Sequence, residues 1–453
     1  MTKLAAVVPI YKKDNPLDKE NYRPVSLLSS VSKIFERIVY NQIESYMSPK
    51  FSNLLTGFRK NHSTQCSLLH MVNSWKNALD QKKQIGAIFM DLSKAFDTID
   101  HSLLIAKLNA YGFSIDSLKF ILSYLKNRKQ RTTIDNSYST WEEIIAGVPQ
   151  GSILGPLLFN IFINDLFFFP KMCNIANYAD DNTIYATGER FEAIVKDLYD
   201  DLSSLQSWFY ENYMILNPKK CYFMCLGKDA ETIGDFNFQG ISIKKTNSQK
   251  LLGVIIDHKL KFEEHISSIC QIAGKKLNAL TRLSHLIAPY QLDLILNSFI
   301  KGQFNYCPLI WMFSSKRSNN LINKIHERTL RLIHNDYESN FSDLLKIKNE
   351  VTFHVKNNQK LMTEVYKYVN GLSNSITCEI FSKRNVNYNL RNFREIKSQR
   401  KYTSRYGLES VNYKASQLWQ NVPMEIKNSS TLEIFKTKIK SWTAEKCPCW
   451  VCN

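Results

Sequence analysis

Glycine, proline and acidic residues are all scarce in this 453-residue chain, and each shortage excludes something. With 15 glycines and 12 prolines, collagen-like repeats and low-complexity linkers are ruled out. A composition 44% hydrophobic and 22% charged excludes extended disorder. No hydrophobic run suits a membrane span, because the longest, Ile153 to Phe169, is broken by Asn160, Asn164 and Asp165. The opening residues, MTKLAAVVPIYKK, hold too short an apolar stretch for a secretory signal and no small-residue cleavage site. Ten cysteines, scattered at positions such as Cys66, Cys173, Cys270 and Cys378, form no disulfide framework and point to a reducing compartment. Acid is outnumbered, 41 Asp+Glu against 59 Lys+Arg, for a net charge of +18 and a pI near 9.3. From Lys301 onward 25 basic residues face 12 acidic ones, so +13 of the +18 lies in the last third. Such a localised excess suits a polyanionic partner; a solvated basic surface is the plainer alternative.

The length allows either a multi-lobed molecule or several small domains, and no internal repeat is visible. Leu27, Leu28, Val31, Ile34, Phe35, Ile38 and Val39 recur at steps of three and four, which predicts an amphipathic helix with Lys33, Glu36 and Arg37 on its polar face. A helix over Leu68 to Leu79 precedes Ile85 to Asp91, a short buried strand that ends in a carboxylate. Helices at Leu103 to Ala110 and Ser117 to Lys126 follow, then strands near Arg131 to Ile134 and Trp141 to Ile145, and an apolar helix over Pro156 to Phe168. Cys173 to Ala179 and Thr183 to Ala186 form a hairpin pattern with Asp180 and Asp181 at its tip. Helix resumes over Phe191 to Tyr213, strands fall at Cys221 to Leu226 and Leu251 to Asp257, and helix dominates beyond His258. This order predicts an α+β fold, an antiparallel sheet backed by helices on one face.

Adjacent aspartates raise each other's pKa unless a cation intervenes, so Asp180-Asp181 at a hairpin tip asks for metal. Magnesium prefers hard oxygen ligands and keeps waters, and a few carboxylates with an open face suit it. Asp91 supplies a third carboxylate. Alone, such a doublet is more often a solvated turn.

Its context is specific. Phe89-Met90-Asp91-Leu92-Ser93-Lys94-Ala95-Phe96-Asp97, Gly147-Val148-Pro149-Gln150-Gly151-Ser152-Ile153-Leu154-Gly155-Pro156 and Tyr178-Ala179-Asp180-Asp181 occur in that order with long spacers. These motifs resemble those of reverse transcriptases of non-LTR (LINE-type) retrotransposons, the jockey-like branch in particular. The resemblance runs from Val7-Val8-Pro9-Ile10 and Asn21-Tyr22-Arg23-Pro24 to Leu418-Trp419 and Val422-Pro423. It implies a right-hand polymerase, with fingers over 1–84, palm over 85–257 containing an inserted fingers segment near 112–146, helical thumb over 258–340 and a mainly helical basic region over 341–453. It also implies an RNA-directed DNA polymerase that extends a primer 3′-hydroxyl with two Mg²⁺ ions, or Mn²⁺ in their place. Its partners would be an RNA template, a DNA primer or target, dNTPs and the element's own RNA, in nucleus and/or cytoplasm and away from membranes.

Carried over residue by residue, the resemblance makes Asp91, Asp180 and Asp181 metal ligands. Phe96 becomes a gate under the sugar, where otherwise it is a core phenylalanine; Gln150 and Gly151 become contacts to the incoming nucleotide, and Arg23 a triphosphate ligand. Lys220, in Leu216-Asn217-Pro218-Lys219-Lys220, either protonates or neutralises pyrophosphate, and Leu252 and Gly253 fall in the primer grip. Lys33 is a weaker phosphate candidate, and Asp97 is expected to be structural or helix-capping. Gly147, Gly151 and Gly155 permit close backbone approach.

Leu390 to Tyr406 interleaves Arg391, Arg394, Lys397, Arg400, Lys401 and Arg405 with Tyr402 and Tyr406, a pattern for single-stranded nucleic acid or for a plain surface segment. The end, Cys447-Pro448-Cys449-Trp450-Val451-Cys452, offers three thiols but no evident fourth ligand, with His334 and His354 remote, so an unmetallated tail is the expectation. The family places an endonuclease domain ahead of the polymerase. None is visible, and the start lies close to the Val7-Val8-Pro9-Ile10 motif, so truncated fingers in an element copy are expected. Two rival functions stay open: a catalytically silent RNA-binding remnant of an element, and a group II intron-type maturase.

Overall fold

The structure is a computed structural model and describes residues 3–12, 15–383, 396–397, 400–444 and 447–452. Its strands are β1 Leu4–Tyr11, β2 Tyr22–Leu27, β3 Gln84–Met90, β4 Arg128–Ile134, β5 Ser137–Tyr138, β6 Glu142–Ile144, β7 Asn174–Tyr178, β8 Asp181–Gly188, β9 Tyr222–Leu226, β10 Phe236–Phe238, β11 Ile241–Lys245, β12 Ser248–Leu251 and β13 Val254–Asp257. The helices that frame the site are α1 Ser30–Met47, α2 Thr64–Asp80, α3 His101–Ala110, α4 Ile115–Leu125, α5 Leu154–Ile163, α6 Phe191–Glu211 and α7 Glu263–Leu283.

The central sheet runs β10-β11-β9-β3-β8-β7, antiparallel at every pair except β11–β9. The expected antiparallel sheet is therefore present, but helices cover both of its faces rather than one. Ile85, Ala87 and Phe89 of β3 pack with Trp75 of α2, while Ile88 and Met90 pack with Ile194 and Leu198 of α6. Every residue of β3 is buried, which is why its sequence after Gln84 is an unbroken apolar run and not an alternation. At Gly86 a Cβ would come within 2.7 Å of Ile194 Cγ2, so the missing side chain sets how closely α6 approaches.

A second sheet, β2-β1-β4-β5 with β6 on β4, joins the first residues to the 128–144 segment, and β1 pairs with β4 in parallel. Neither β1 nor β2 was expected from the pattern. Pro9 stands opposite Pro24 in their ladder, and prolines obscure a strand signal because they donate no ladder hydrogen bond.

The apolar stripe near the N-terminus turns out to face outward. Leu27 closes β2, the helix begins at Ser30 behind a Ser29 cap, and Val31, Ile34, Phe35 and Ile38 are exposed. The buried face instead carries Ser32, Glu36, Ile43 and Met47, with Glu36 only 1% exposed. Its carboxylate accepts hydrogen bonds from the backbone N–H of Ile153 at 2.6 Å and of Leu154 at 3.3 Å, and from the Tyr124 hydroxyl at 3.2 Å. The α5 cap residue, Ile153, supplies no side-chain acceptor of its own, so Glu36 satisfies donors that would otherwise be orphaned at a positive helix end. That need outweighs the burial of the apolar stripe.

Leu251 to Asp257 is not one strand but the hairpin β12–β13. Leu252 at φ 46° and Gly253 at φ 82° form its two-residue turn, a conformation in which glycine avoids the left-handed cost. Beyond it the chain is helical, and one core runs from Trp75 of α2 through α7 and the helices Lys316–His334, Phe353–Val369 and Val411–Asn421 to Trp442. Among the described residues no helix is long and apolar enough to cross a membrane. Replacing Glu36→Ala should lower unfolding free energy by about 1–3 kcal/mol, the cost of buried donors left unpaired. Denaturant titration reads this directly, and an unchanged midpoint would show that Glu36 is not the cap.

Candidate active site

Sheet register, rather than sequence spacing, assembles the carboxylates. β3 and β8 pair with Met90 opposite Asn182, and one residue further the same register sets Asp91 across from Asp181. On the other side Phe89 faces Tyr222 of β9, and the turn Pro218–Lys220 just ahead of β9 lies beside the end of β3. Lys220 Nζ accordingly lies 3.8 Å from Asp91 Oδ2. The intervening segment is pinned by a bridge between Leu92 and Leu216, by the Asn217 N–H to the Asp91 carbonyl at 2.9 Å, and by the Ser93 N–H to the Ile215 carbonyl at 2.9 Å.

The β7–β8 loop consists of Ala179 and Asp180, with Ala179 at φ 57°. A left-handed residue bearing a Cβ costs about 1–3 kcal/mol and persists only where its surroundings fix it. Here the Asn177 amide nitrogen donates to the Ala179 carbonyl at 2.8 Å and to Asn182 Oδ1 at 2.9 Å, and the Asn182 amide donates to the Asp180 carbonyl at 3.2 Å. The hydroxyls of Thr56 and Ser67 both donate to the Asn177 carbonyl. Gly57 completes the clamp, since a Cβ there would stand 2.9 Å from Ala179 Cα.

Crowding by protein raises the pKa of both tip aspartates, although Asp180 is exposed and Asp181 half-buried, as on the floor of an open cleft. Desolvation pushes Asp180 up and the Asp91 charge adds to it; Asp181 is pushed up to about 6, by desolvation first and then by Asp180 and Asp91. Arg23 and Lys12 pull both back down. Three mutually repelling carboxylates open to water form a donor set that suits a hard divalent cation.

Around this floor, β2 carries Arg23 opposite Ile10 of β1, with Lys12 just past the β1 end. Lys33 is exposed on α1. The Gln150 side-chain amide donates to Asp97 Oδ1 at 2.9 Å, and the Gln150 carbonyl accepts from Ser26 N–H at 2.8 Å. Gly151, at φ 104°, would bring a Cβ within 2.8 Å of the Ser26 carbonyl. Asp97 therefore holds Gln150 and does not cap a helix; the α3 cap is Asp100, which accepts from Leu103 N–H at 2.7 Å. Of the two expected roles the structural one is observed; capping is excluded because Asp97 sits in a turn of its own, its N–H bonded to the Lys94 carbonyl, four residues ahead of the helix. Phe96 is half-buried, with one ring face stacked on Phe159 at 4.3 Å.

A model of the family described as "Reverse transcriptase (RNA-dependent DNA polymerase)" matches residues 10–256, more than half of the chain. The chain belongs to the reverse transcriptase family. It is 30% identical over 351 residues to the RNA-directed DNA polymerase from mobile element jockey of Drosophila melanogaster, covering 73% of this chain and 37% of that protein. To the probable RNA-directed DNA polymerase from transposon BS of the same fly it is 29% identical over 346 residues, with 73% and 38% covered. The chain thus spans less than two-fifths of the length of these relatives. Among solved structures, apo telomerase of Candida tropicalis aligns with a TM-score of 0.40 at 11% identity, covering 76% of this chain and 59% of that one.

The matched reverse transcriptase region ends in the β12–β13 hairpin, whose tip is anchored by the Tyr306 hydroxyl donating to the Leu252 carbonyl at 2.7 Å. The Tyr306 ring lies 3.0 Å from where a Gly253 Cβ would stand. Of the basic tail stretch, Arg391 and Arg394 lie outside the described residues. Lys401 donates to Asn77 Oδ1 at 3.0 Å, and Asp80 accepts from the N–H groups of Tyr402 and Thr403, so this part docks on α2. Lys12, Gly57 and the Asn177–Asn182 pair were missed in the sequence; only the two asparagines flanking the aspartates carried a visible signal.

Because the Asp181 carboxyl titrates near 6 when folded and about 4 when unfolded, it favours folding below pH 4, and that contribution is lost as pH rises through 6. A divalent cation should therefore raise the melting temperature more at pH 7 than at pH 5. Asp181→Asn should stabilise the metal-free protein at pH 7 and remove most of the cation-dependent increment, both read by thermal denaturation.

Proposed function

We propose that this chain is an RNA-directed DNA polymerase of a non-LTR retrotransposon, extending a primer 3′-hydroxyl along an RNA template. The observation that carries the reading is the meeting of Asp91, Asp180 and Asp181 at the ends of the paired strands β3 and β8, with Lys220 Nζ 3.8 Å from Asp91 Oδ2. The proposed division is fingers over 1–84, palm over 85–257 containing an inserted fingers segment near 112–146, thumb over 258–340 and a basic region over 341–453. Divalent ions, Mg²⁺ or in its place Mn²⁺, held by Asp91, Asp180 and Asp181 would activate the 3′-hydroxyl and stabilise the leaving pyrophosphate.

The chain's own groups do the rest. Arg23 and Lys12, whose charges pull down the pKa of both tip aspartates, bind the dNTP triphosphate, Arg23 with its planar fork. Gln150, fixed by Asp97 and Ser26, contacts the incoming nucleotide, with Gly151 admitting close backbone approach. The Phe96 ring, braced by Phe159, lies under the sugar and excludes a ribose 2′-hydroxyl. Lys220 beside Asp91 either donates a proton to pyrophosphate or neutralises it. The Leu252-Gly253 turn, tied to Tyr306, supports the primer end. A DNA primer or target and the element's RNA are the proposed macromolecular partners, inside the cell in nucleus and/or cytoplasm; the +18 charge supports a polyanionic partner.

Primed RNA template, dNTPs and Mg²⁺ should yield extension products. Asp180→Asn should abolish them, Lys220→Ala should slow the step about 10²-fold or more, and Phe96→Val should admit ribonucleotides that the parent rejects. A folded parent chain that binds primed RNA and extends nothing would refute the reading in favour of the silent remnant.

A further inference from the structure

The C-terminal thiols find the fourth ligand that the sequence concealed. His354, near the start of the helix Phe353–Val369, meets Cys447, Cys449 and Cys452, and the four ligand atoms all lie within 4.8 Å of one another. His354 Nε2 is 3.3 Å from Cys449 Sγ and 3.6 Å from Cys447 Sγ, and those two sulfurs are 3.4 Å apart. A tetrahedral zinc centre with Zn–S of about 2.3 Å and Zn–N of about 2.0–2.1 Å has ligand-to-ligand edges of about 3.5–3.8 Å, close to this spacing. A disulfide, at about 2.05 Å, is much shorter, and all ten cysteines are free thiols. His354, Cys447 and Cys449 are buried and Cys452 is exposed.

Two neighbouring features are built for a charged cluster. Asn358, one helical turn beyond His354 and fully buried, faces the Cys447 thiol and has no other hydrogen-bond partner among the described residues. An amide there suits a metal-bound thiolate, which accepts hydrogen bonds from its surroundings. Between the two buried cysteines, the Pro448 carbonyl accepts from Lys414 Nζ at 2.7 Å. Lys414 pairs with Glu409 at 2.9 Å, both nearly inaccessible, and the Glu409 carbonyl accepts from Lys76 of α2 at 3.2 Å.

We propose that His354, Cys447, Cys449 and Cys452 form a structural zinc site of Cys₃His type. Four protein ligands fill the tetrahedron, which is the mark of a structural centre rather than a catalytic one. Three thiolates and a neutral imidazole also favour zinc over the oxygen-seeking ions of the carboxylate cleft. The site fastens the C-terminal segment to the helix Phe353–Val369. Through Lys414, Glu409 and Lys76 it continues to the helix that backs the central sheet.

The test is metal analysis of the full chain, expressed with zinc and dialysed, in parent and Asp181→Asn backgrounds so that zinc at the carboxylates is not counted. One zinc per chain is expected, unchanged by Cys66→Ser and by Asp181→Asn, lost in Cys449→Ser and His354→Asn, and retained in Cys452→His. Should the ligand variants fail to fold, cobalt(II) loaded into the parent chain decides, with tetrahedral visible bands and thiolate charge transfer expected. A folded parent chain with little or no zinc, another metal in its place, zinc that survives the ligand variants, or cobalt spectra without thiolate bands would each overturn the assignment.

Discussion

Three carboxylates that repel one another are held together at the ends of adjacent strands, and the rest of the central sheet is arranged so that they cannot move apart. Left to itself the two-residue tip would relax, since Ala179 is in a left-handed conformation and burial disfavours the charge on Asp181. The restraint comes from the Asn177–Asn182 pair inside the hairpin, from Thr56, Ser67 and Gly57 outside it, and from a β3 strand sealed on both faces by α2 and α6. Electrostatic cost is stored where a cation can release it.

The same logic extends to the groups around the cleft. Glu36 gives up the ordinary orientation of its helix in order to cap α5, and the cap steadies the turn in which Ser152 and Gly155 follow Gln150. Asp97 and Ser26 then fix Gln150 from two sides. Each interaction is modest, yet all converge on one loop, and their value lies in pre-organisation more than in stability.

Much of this was legible in the sequence wherever the signal was local. The β3 run, the Asp180-Asp181 hairpin and the α2 and α6 helices could be placed because each needs only its own pattern. What escaped depends on distant partners. The parallel pairing of β1 with β4 joins residues more than a hundred positions apart, and the outward stripe of α1 is explained only by the α5 N-terminus. His354 meets its cysteines across 93 residues, a separation no ligand-spacing rule spans. The sequence also merged β12 and β13, because the single Gly253 in an otherwise apolar run reads as part of a buried strand as readily as a turn.

Cleavage by bound iron tests the central claim most directly. Fe²⁺ substituted for the divalent ion, with ascorbate and peroxide, generates radicals that cut the backbone nearest the metal. The account predicts cuts clustered near Asp91 and near Asp180-Asp181, suppressed by excess Mg²⁺ and by Asp181→Asn. Cuts confined to other segments, or none at either aspartate motif in the folded chain, would contradict it.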